Sequence, residues 1–297
     1  MFSRNTKLEV KLLLKISRPR FWIYVFGPYL LGIVTGAQSA TDFLKPEIIV
    51  FAVFFLLPAN ILIYGVNDIF DFDTDRLNPK KSDYENRLEP SNHSLLAKWI
   101  LIFNLPFIAA AFLIFRDALL SLSIFLFLAV FYSSPPLRTK SIPILDSVFN
   151  FLYVMPGIFS FQLLTGNWPP IRILLAAGLW TAAMHAFSAV PDIEADRKSG
   201  VNTIAVLLGR RGTIAACLAA YGISAILVAK YLGLLAIAIG ALYILLMSVS
   251  LLATHENALF RVYKLFPLLN SLAGFCIFCF IALRSQGIFP YSFLPEL

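Results

Sequence analysis

Apolar stretches of membrane-spanning length recur from Phe21 almost to the end of this 297-residue chain. An α-helix needs about 20 residues to cross roughly 30 Å of hydrocarbon. Hydrocarbon offers the backbone no hydrogen-bond partner outside the helix itself. No single soluble core buries so many runs, so the chain reads as an all-α, polytopic membrane protein. A mean hydropathy of +0.79 and a charged fraction of 14% agree. Nine spans are predicted: Arg20–Ala37, Glu47–Val66, Lys98–Phe115, Ala118–Ser133, Ser147–Thr165, Pro170–Val190, Thr213–Lys230, Gly233–Ala253 and Lys264–Leu283.

Threaded through these spans, 19 of the 24 basic residues fall on the side of the N-terminus, and Lys45, Arg116, Arg172, Lys230 and Arg284 fall on the other. The positive-inside rule then puts the N-terminus in the cytoplasm of a multi-pass cell-membrane protein. The net charge of +7 is mostly this topology signal. No basic face on a soluble domain is present to bind nucleic acid. The basic, polar first 20 residues run straight into a full-length span, so no cleaved signal peptide is expected.

Two acidic clusters interrupt the apolar pattern, Asn67-Asp68-Ile69-Phe70-Asp71-Phe72-Asp73-Thr74-Asp75 and Asp192-Ile193-Glu194-Ala195-Asp196. Each lies where a predicted span meets a long loop on the basic side, and carboxylates so near hydrocarbon need a partner to neutralise them. Aligned on their aspartates, both read Asp-x-x-x-Asp-Arg, ending at Arg76 and Arg197. The interval of four spans suggests two related four-helix halves plus one helix, in a single domain over residues 1–297. The active site is expected at the cytoplasmic face of a central cavity. If the helix of the second span continues, Asn67, Asp71 and Asp75 form one stripe with Asp68 beside it, and Asp192 pairs with Asp196 in the same way. Carboxylates are the usual ligands of Mg²⁺, which keeps waters and bridges to substrate phosphates. The alternative is a pair of solvated helix ends, bridged to Arg76 and Arg197.

A diphosphate held there needs cations. Arg76, Lys80, Lys81 and Arg87 follow the first cluster, Arg197 and Lys198 the second, and Arg138 and Lys140 sit in Tyr132-Ser-Ser-Pro-Pro-Leu-Arg-Thr-Lys140-Ser-Ile-Pro, whose three prolines restrict the backbone. Cys276 and Cys279 have redox-pair spacing but lie within an apolar span and read as inert thiols. His185, seven residues before Asp192, reads as an interior histidine or as a group meeting substrate. The 28 phenylalanines read mainly as helix-packing or lipid-facing rings, with a cation-guiding lining as the alternative.

Asn67-Asp68-x-x-Asp71-x-x-x-Asp75, Asp192-x-x-x-Asp196, and Tyr132 with its following basic residues resemble the signatures of the UbiA superfamily of intramembrane prenyltransferases. The resemblance covers essentially the whole chain, including Arg18-Pro19 before the first span. It implies Mg²⁺-assisted ionisation of an allylic isoprenoid diphosphate and capture of the cation by a lipophilic acceptor. Asp68, Asp71, Asp75, Asp192 and Asp196 would then carry metal, with Asn67 assisting, Tyr132 near the cation, and Arg138 and Lys140 on the diphosphate. Arg76, Lys80, Lys81, Arg197 and Lys198 are further diphosphate candidates. Asn78-Pro79-Lys80-Lys81 stands where members with aromatic acceptors often carry an Arg-Pro stretch. With Ser17-Arg-Pro-Arg-Phe-Trp22 it is most similar to the lycopene elongase branch, which implies a carotenoid acceptor, with or without hydration. An aromatic quinone precursor is the alternative acceptor. An ion transporter is the rival class, although its site is expected at mid-membrane and not at span ends.

Overall fold

A computed structural model describes residues 4–72, 90–253 and 256–285. Every regular element among them is helical. Among the described residues, seven segments are long and apolar enough to cross a membrane, from Pro46–Phe70 to Leu259–Ser285. The other two predicted spans are shorter helices, α2 (Trp22–Gly36) and α6 (Leu119–Phe131). At 15 and 13 residues and about 1.5 Å of rise per residue, they extend roughly 20 Å. Large aliphatic side chains such as Leu113, Ile226 and Leu234 lie 68%, 75% and 79% exposed, a surface suited to lipid and unsuited to water. The protein is a multi-pass membrane protein.

The chain divides into two compact units. The first comprises residues 1–138 and 155–166. Its elements are α1 (Arg4–Ile16), α2, α3 (Pro46–Leu56), α4 (Pro58–Phe70), α5 (His93–Leu113), α6 and α8 (Met155–Thr165). Proline at 58 supplies no N–H, so the second predicted span breaks between α3 and α4. The Asn60 amide satisfies the carbonyls left at the break, donating to Phe55 O and Leu56 O at 3.1 and 2.9 Å. Asn104 ties α5 to the same joint through Pro58 O at 3.1 Å. Asn60 therefore bonds within its own span.

Glycine sets the closest helix approach in this unit. A Cβ on Gly32 of α2 would overlap the carbonyl oxygen of Gly157 and the hydroxyl of Ser160 on α8. That hydroxyl instead donates to Tyr29 O at 2.7 Å, and the phenol of Tyr29 donates to Ile48 O at 2.6 Å. Phe51, Phe54, Phe55, Phe125 and Phe159 are wholly buried. Their rings meet largely edge to face, with centroids 4.5 Å apart for Phe51 and Phe159. This is a favoured aromatic geometry, and it identifies these five as core.

The second unit comprises residues 139–154 and 167–297. It holds a 3-10 turn Thr139–Ser141, α7 (Leu145–Val148), a 3-10 segment Phe149–Tyr153, α9 (Ile171–Ala189), α10 (Ile193–Ser199), α11 (Ile204–Leu232, kinked at the non-helical Gly209), α12 (Leu234–Leu252) and α13 (Glu256–Ser285). The fifth predicted span is thus shared between units, so the boundary does not follow the two four-helix halves. Small and polar side chains knit α9 to α11, where Ser224 donates to Ala176 O at 2.9 Å. Cys217 is 1% exposed and lies 3.4 Å from Ala183 O. Trp180, Tyr221 and Tyr243 form an aromatic cluster, and Tyr243 donates to Asn270 Oδ1 at 2.6 Å.

Candidate active site

In the first unit the site grows from the last turn of α4. Asp71 N donates to Asn67 O at 2.9 Å, so the helical pattern continues one residue beyond Phe70. The Asn67–Asp71 half of the predicted stripe forms. Asp73, Asp75, Arg76, Lys80, Lys81 and Arg87 lie outside the described residues.

Asp71 is 2% exposed. A carboxylate that dry requires donors. The Asn67 amide supplies one to Asp71 Oδ2, and the Arg138 guanidinium lies 4.0 Å from Oδ1. Asn67 also faces Ser133 Oγ at 3.0 Å, which docks the 132–138 segment against the end of α4. That segment closes on itself through Arg138 N to Ser134 O at 2.9 Å. Arg138 occupies a left-handed backbone conformation, φ 43, rare for a residue bearing a Cβ. Its Nη2 reaches Phe70 O at 3.5 Å, while Nε is buried without a hydrogen bond among the described residues. Arg138 thus lies beside a carboxylate on this proline-containing segment. Tyr132 is partly exposed at the start of this segment.

Asp68 pairs with Arg18 at 2.8 Å, and the Arg18 guanidinium lies 4.9 Å over the Tyr64 ring. Arg18, another left-handed residue at φ 50, entered the sequence reading through its Arg-Pro motif without a role. Ser133 was not singled out at all. A serine next to a proline pair carries no mark of what it will face.

In the second unit, Asp192 ends a 3-10 turn continuing α9, and Asp196 follows one turn later on α10. Gly200, in the left-handed region at φ 72, stops α10, a conformation glycine adopts without strain. Thr203 caps α11, accepting from Val206 N at 3.3 Å, and its hydroxyl donates to Asp196 Oδ2 at 3.4 Å. Asp192, His185 and Lys140 all interact electrostatically with Asp196. The structure therefore gathers Lys140 with the second cluster and Arg138 with the first. Arg197 instead makes an exposed pair with Glu194 at 3.3 Å, and Lys198 is exposed. Asp146, a carboxylate outside both motifs, is fully buried nearby, its Oδ2 accepting from Ile204 N at 3.0 Å and lying 3.7 Å from His185 Nε2.

Among the described residues no three His, Cys, Asp or Glu side chains converge closely enough to enclose a metal. The donor set fits Mg²⁺ in chemistry, since aspartate oxygens paired at i,i+3 and i,i+4 suit a hard cation that completes its shell with water and phosphate. Asp71 is buried, with one oxygen facing a guanidinium and one an amide, and is not a solvated helix end.

Residues 25–272 match the UbiA prenyltransferase family. The lycopene elongase/hydratase of Haloferax volcanii is 38% identical over 264 residues, covering 88% of this chain and 85% of that protein. The lycopene elongase/hydratase of Halobacterium salinarum is 38% identical over 263 residues, covering 87% and 92%. Among solved structures, a UbiA homologue from Archaeoglobus fulgidus bound to DMAPP and Mg²⁺ aligns with a TM-score of 0.64 at 20% identity, covering 90% of this chain and 99% of that one. The family match and the extent of these likenesses establish that the chain belongs to the UbiA family of membrane prenyltransferases.

Proposed function

We propose that the protein transfers an allylic prenyl group from an isoprenoid diphosphate to the end of lycopene or a related carotenoid, in a Mg²⁺-dependent reaction within one domain over residues 1–297. The observation that carries the donor half is the pairing of buried Asp71 with Arg138, whose Nε has no hydrogen bond among the described residues. A carboxylate for metal and a cation for phosphate lie side by side at the end of a membrane helix. The acceptor half is supported by 38% identity to lycopene elongase/hydratases over most of the chain.

Asp68, Asp71, Asp75, Asp192 and Asp196 hold Mg²⁺ in this reading, with Asn67 orienting Asp71. The metal, when bound, neutralises charge that builds on the departing diphosphate. Arg138 and Lys140 hold that diphosphate, assisted by Arg76, Lys80, Lys81, Arg197 and Lys198. These donors act where charge develops, which is the most effective place for electrostatic stabilisation. The allylic C–O bond breaks, and its electron pair leaves with the diphosphate. Tyr132 faces the resulting allylic cation, and a terminal double bond of the acceptor attacks it to form the new C–C bond. Loss of a proton from the acceptor cation completes elongation; capture of water with loss of its proton completes hydration. The N-terminus and both acidic motifs face the cytoplasm, where the water-soluble diphosphate is released.

Expression in cells that make lycopene, with pigments resolved by mass, tests the assignment. Products heavier by isoprenoid units, with or without added water, are expected. Release of diphosphate with unaltered lycopene and a prenylated aromatic acid would instead assign a quinone-type acceptor.

A further inference from the structure

Asp146 belongs to neither acidic motif, yet it touches the elements that carry the second one. The carboxylate is 0% exposed, and its Oδ1 has no hydrogen bond among the described residues. Packing alone does not call for a charge here, because an apolar side chain of similar volume is often neutral or stabilising in place of a buried ion. Its backbone setting is equally demanding. Ile144, two residues earlier, is held at φ 74, ψ −50, a conformation that a β-branched residue keeps only when its surroundings impose it.

We propose that Asp146 is a positioning residue for the second acidic cluster, pinning the start of α11 so that Thr203 is presented to Asp196. This inference rests on the metal-binding role proposed above for Asp192 and Asp196. The first link is Ile204 N donating to Asp146 Oδ2 at 3.0 Å. Ile204 N is one of the N–H groups at the start of α11 that has no partner within the helix. The second link is the neighbouring Thr203, whose hydroxyl meets Asp196 Oδ2 at 3.4 Å. On another side, Asp146 Oδ2 lies 3.7 Å from Nε2 of His185, on the helix whose continuation carries Asp192. Lys140 precedes α7 by a single turn, and Asp146 N closes on Ile142 O at 2.9 Å. One buried carboxylate thus fixes three segments bearing Lys140, His185 with Asp192, and Asp196. Groups that orient metal ligands in this way cost about ten- to hundredfold in metal affinity or activity when removed.

The test uses the purified full chain in detergent, with Mn²⁺ as probe followed by electron paramagnetic resonance without donor, beside melting temperature and steady-state kinetics. Asp146→Leu is expected to weaken Mn²⁺ binding about ten- to hundredfold while the melting temperature is kept. Asp146→Asn, which retains an acceptor for Ile204 N–H, is expected to restore most of the affinity. Thr203→Val is expected to weaken Mn²⁺ binding by itself, Thr203→Ser to rescue it, and Thr203→Val to add little in the Asp146→Leu background. Unchanged Mn²⁺ affinity in a folded Asp146→Leu protein overturns the proposal, as does a Thr203 effect that multiplies with it. If Asp146→Leu fails to fold, the Thr203 pair decides, and normal Mn²⁺ binding by Thr203→Val overturns it. Intact Mn²⁺ binding and turnover in Asp192→Ala would remove the underlying metal reading. A dead Asp192→Ala beside a normal Asp146→Leu removes the positioning inference alone.

Discussion

Asp71→Asn separates the chemical role of the first cluster from its structural one. The substitution keeps the shape and leaves an oxygen to accept the Asn67 amide hydrogen, so the short contact at the end of α4 survives. What it removes is the charge. Two unit charges at the 4.0 Å separation of Asp71 and Arg138 interact by about 4 kcal/mol at an effective dielectric of about 20. The Arg138 side chain is 38% exposed, so the loss in folding stability is discounted to about 1 kcal/mol or less. Relief of a desolvated carboxylate opposes even that. A divalent ion against the same carboxylate carries twice the charge at shorter range, so about 4 kcal/mol is a lower bound for the loss at the metal. At about 1.4 kcal/mol per tenfold, kcat/KM for the allylic diphosphate falls by roughly a thousandfold or more. Diphosphate release from purified protein at saturating Mg²⁺ gives the rate, and melting in detergent gives the stability. A folded Asp71→Asn protein within tenfold of wild type would refute the metal role of Asp71.

Lys140→Ala is expected to raise the donor concentration needed for half-maximal rate by about ten- to hundredfold, the equivalent of a hydrogen bond to a charged group at roughly 1.5–3 kcal/mol. Lys140→Arg is expected to rescue only partly because a planar fork replaces a compact charge, and equal rates at limiting donor would exclude the contact. Gly32→Ala forces its methyl group into the Gly157 carbonyl and Ser160 hydroxyl and is expected to cost about 1–3 kcal/mol in stability, measured by unfolding in mixed micelles; an unchanged midpoint would refute the close α2–α8 approach. With lycopene and a hydroxybenzoate competing in one membrane preparation for dimethylallyl diphosphate, lycopene is expected to gain the prenyl unit. Exclusive prenylation of the aromatic acid would overturn the carotenoid assignment.

The parts of this protein legible in its sequence are those whose physics acts along the chain. Helix period and apolar run length set the spans, and the spacing of Asn67, Asp68 and Asp71 survives into the structure because all three ride on one continuous helical turn. Lys140 stands out in the sequence for a similar reason, as a cation on a proline-restricted segment. Arg18, Ser133, Thr203 and Asp146 meet partners 50, 66, 7 and 58 residues away, and no periodicity encodes such pairings. Burial was the other missing quantity. A carboxylate at a loop edge invites the reading of a solvated side chain, yet Asp71 and Asp146 are 2% and 0% exposed. A charge in that setting is retained against its desolvation cost only where neighbours answer it. For Asp71 the neighbours are an amide and a guanidinium, a setting that suits the donor site proposed above. For Asp146 they are the backbone N–H of Ile204 and an imidazole, a setting that suits the positioning role proposed above. The same residue type at similar burial is thus proposed for two ends, and the identity of the donors around it, not its position in the chain, tells the two proposals apart.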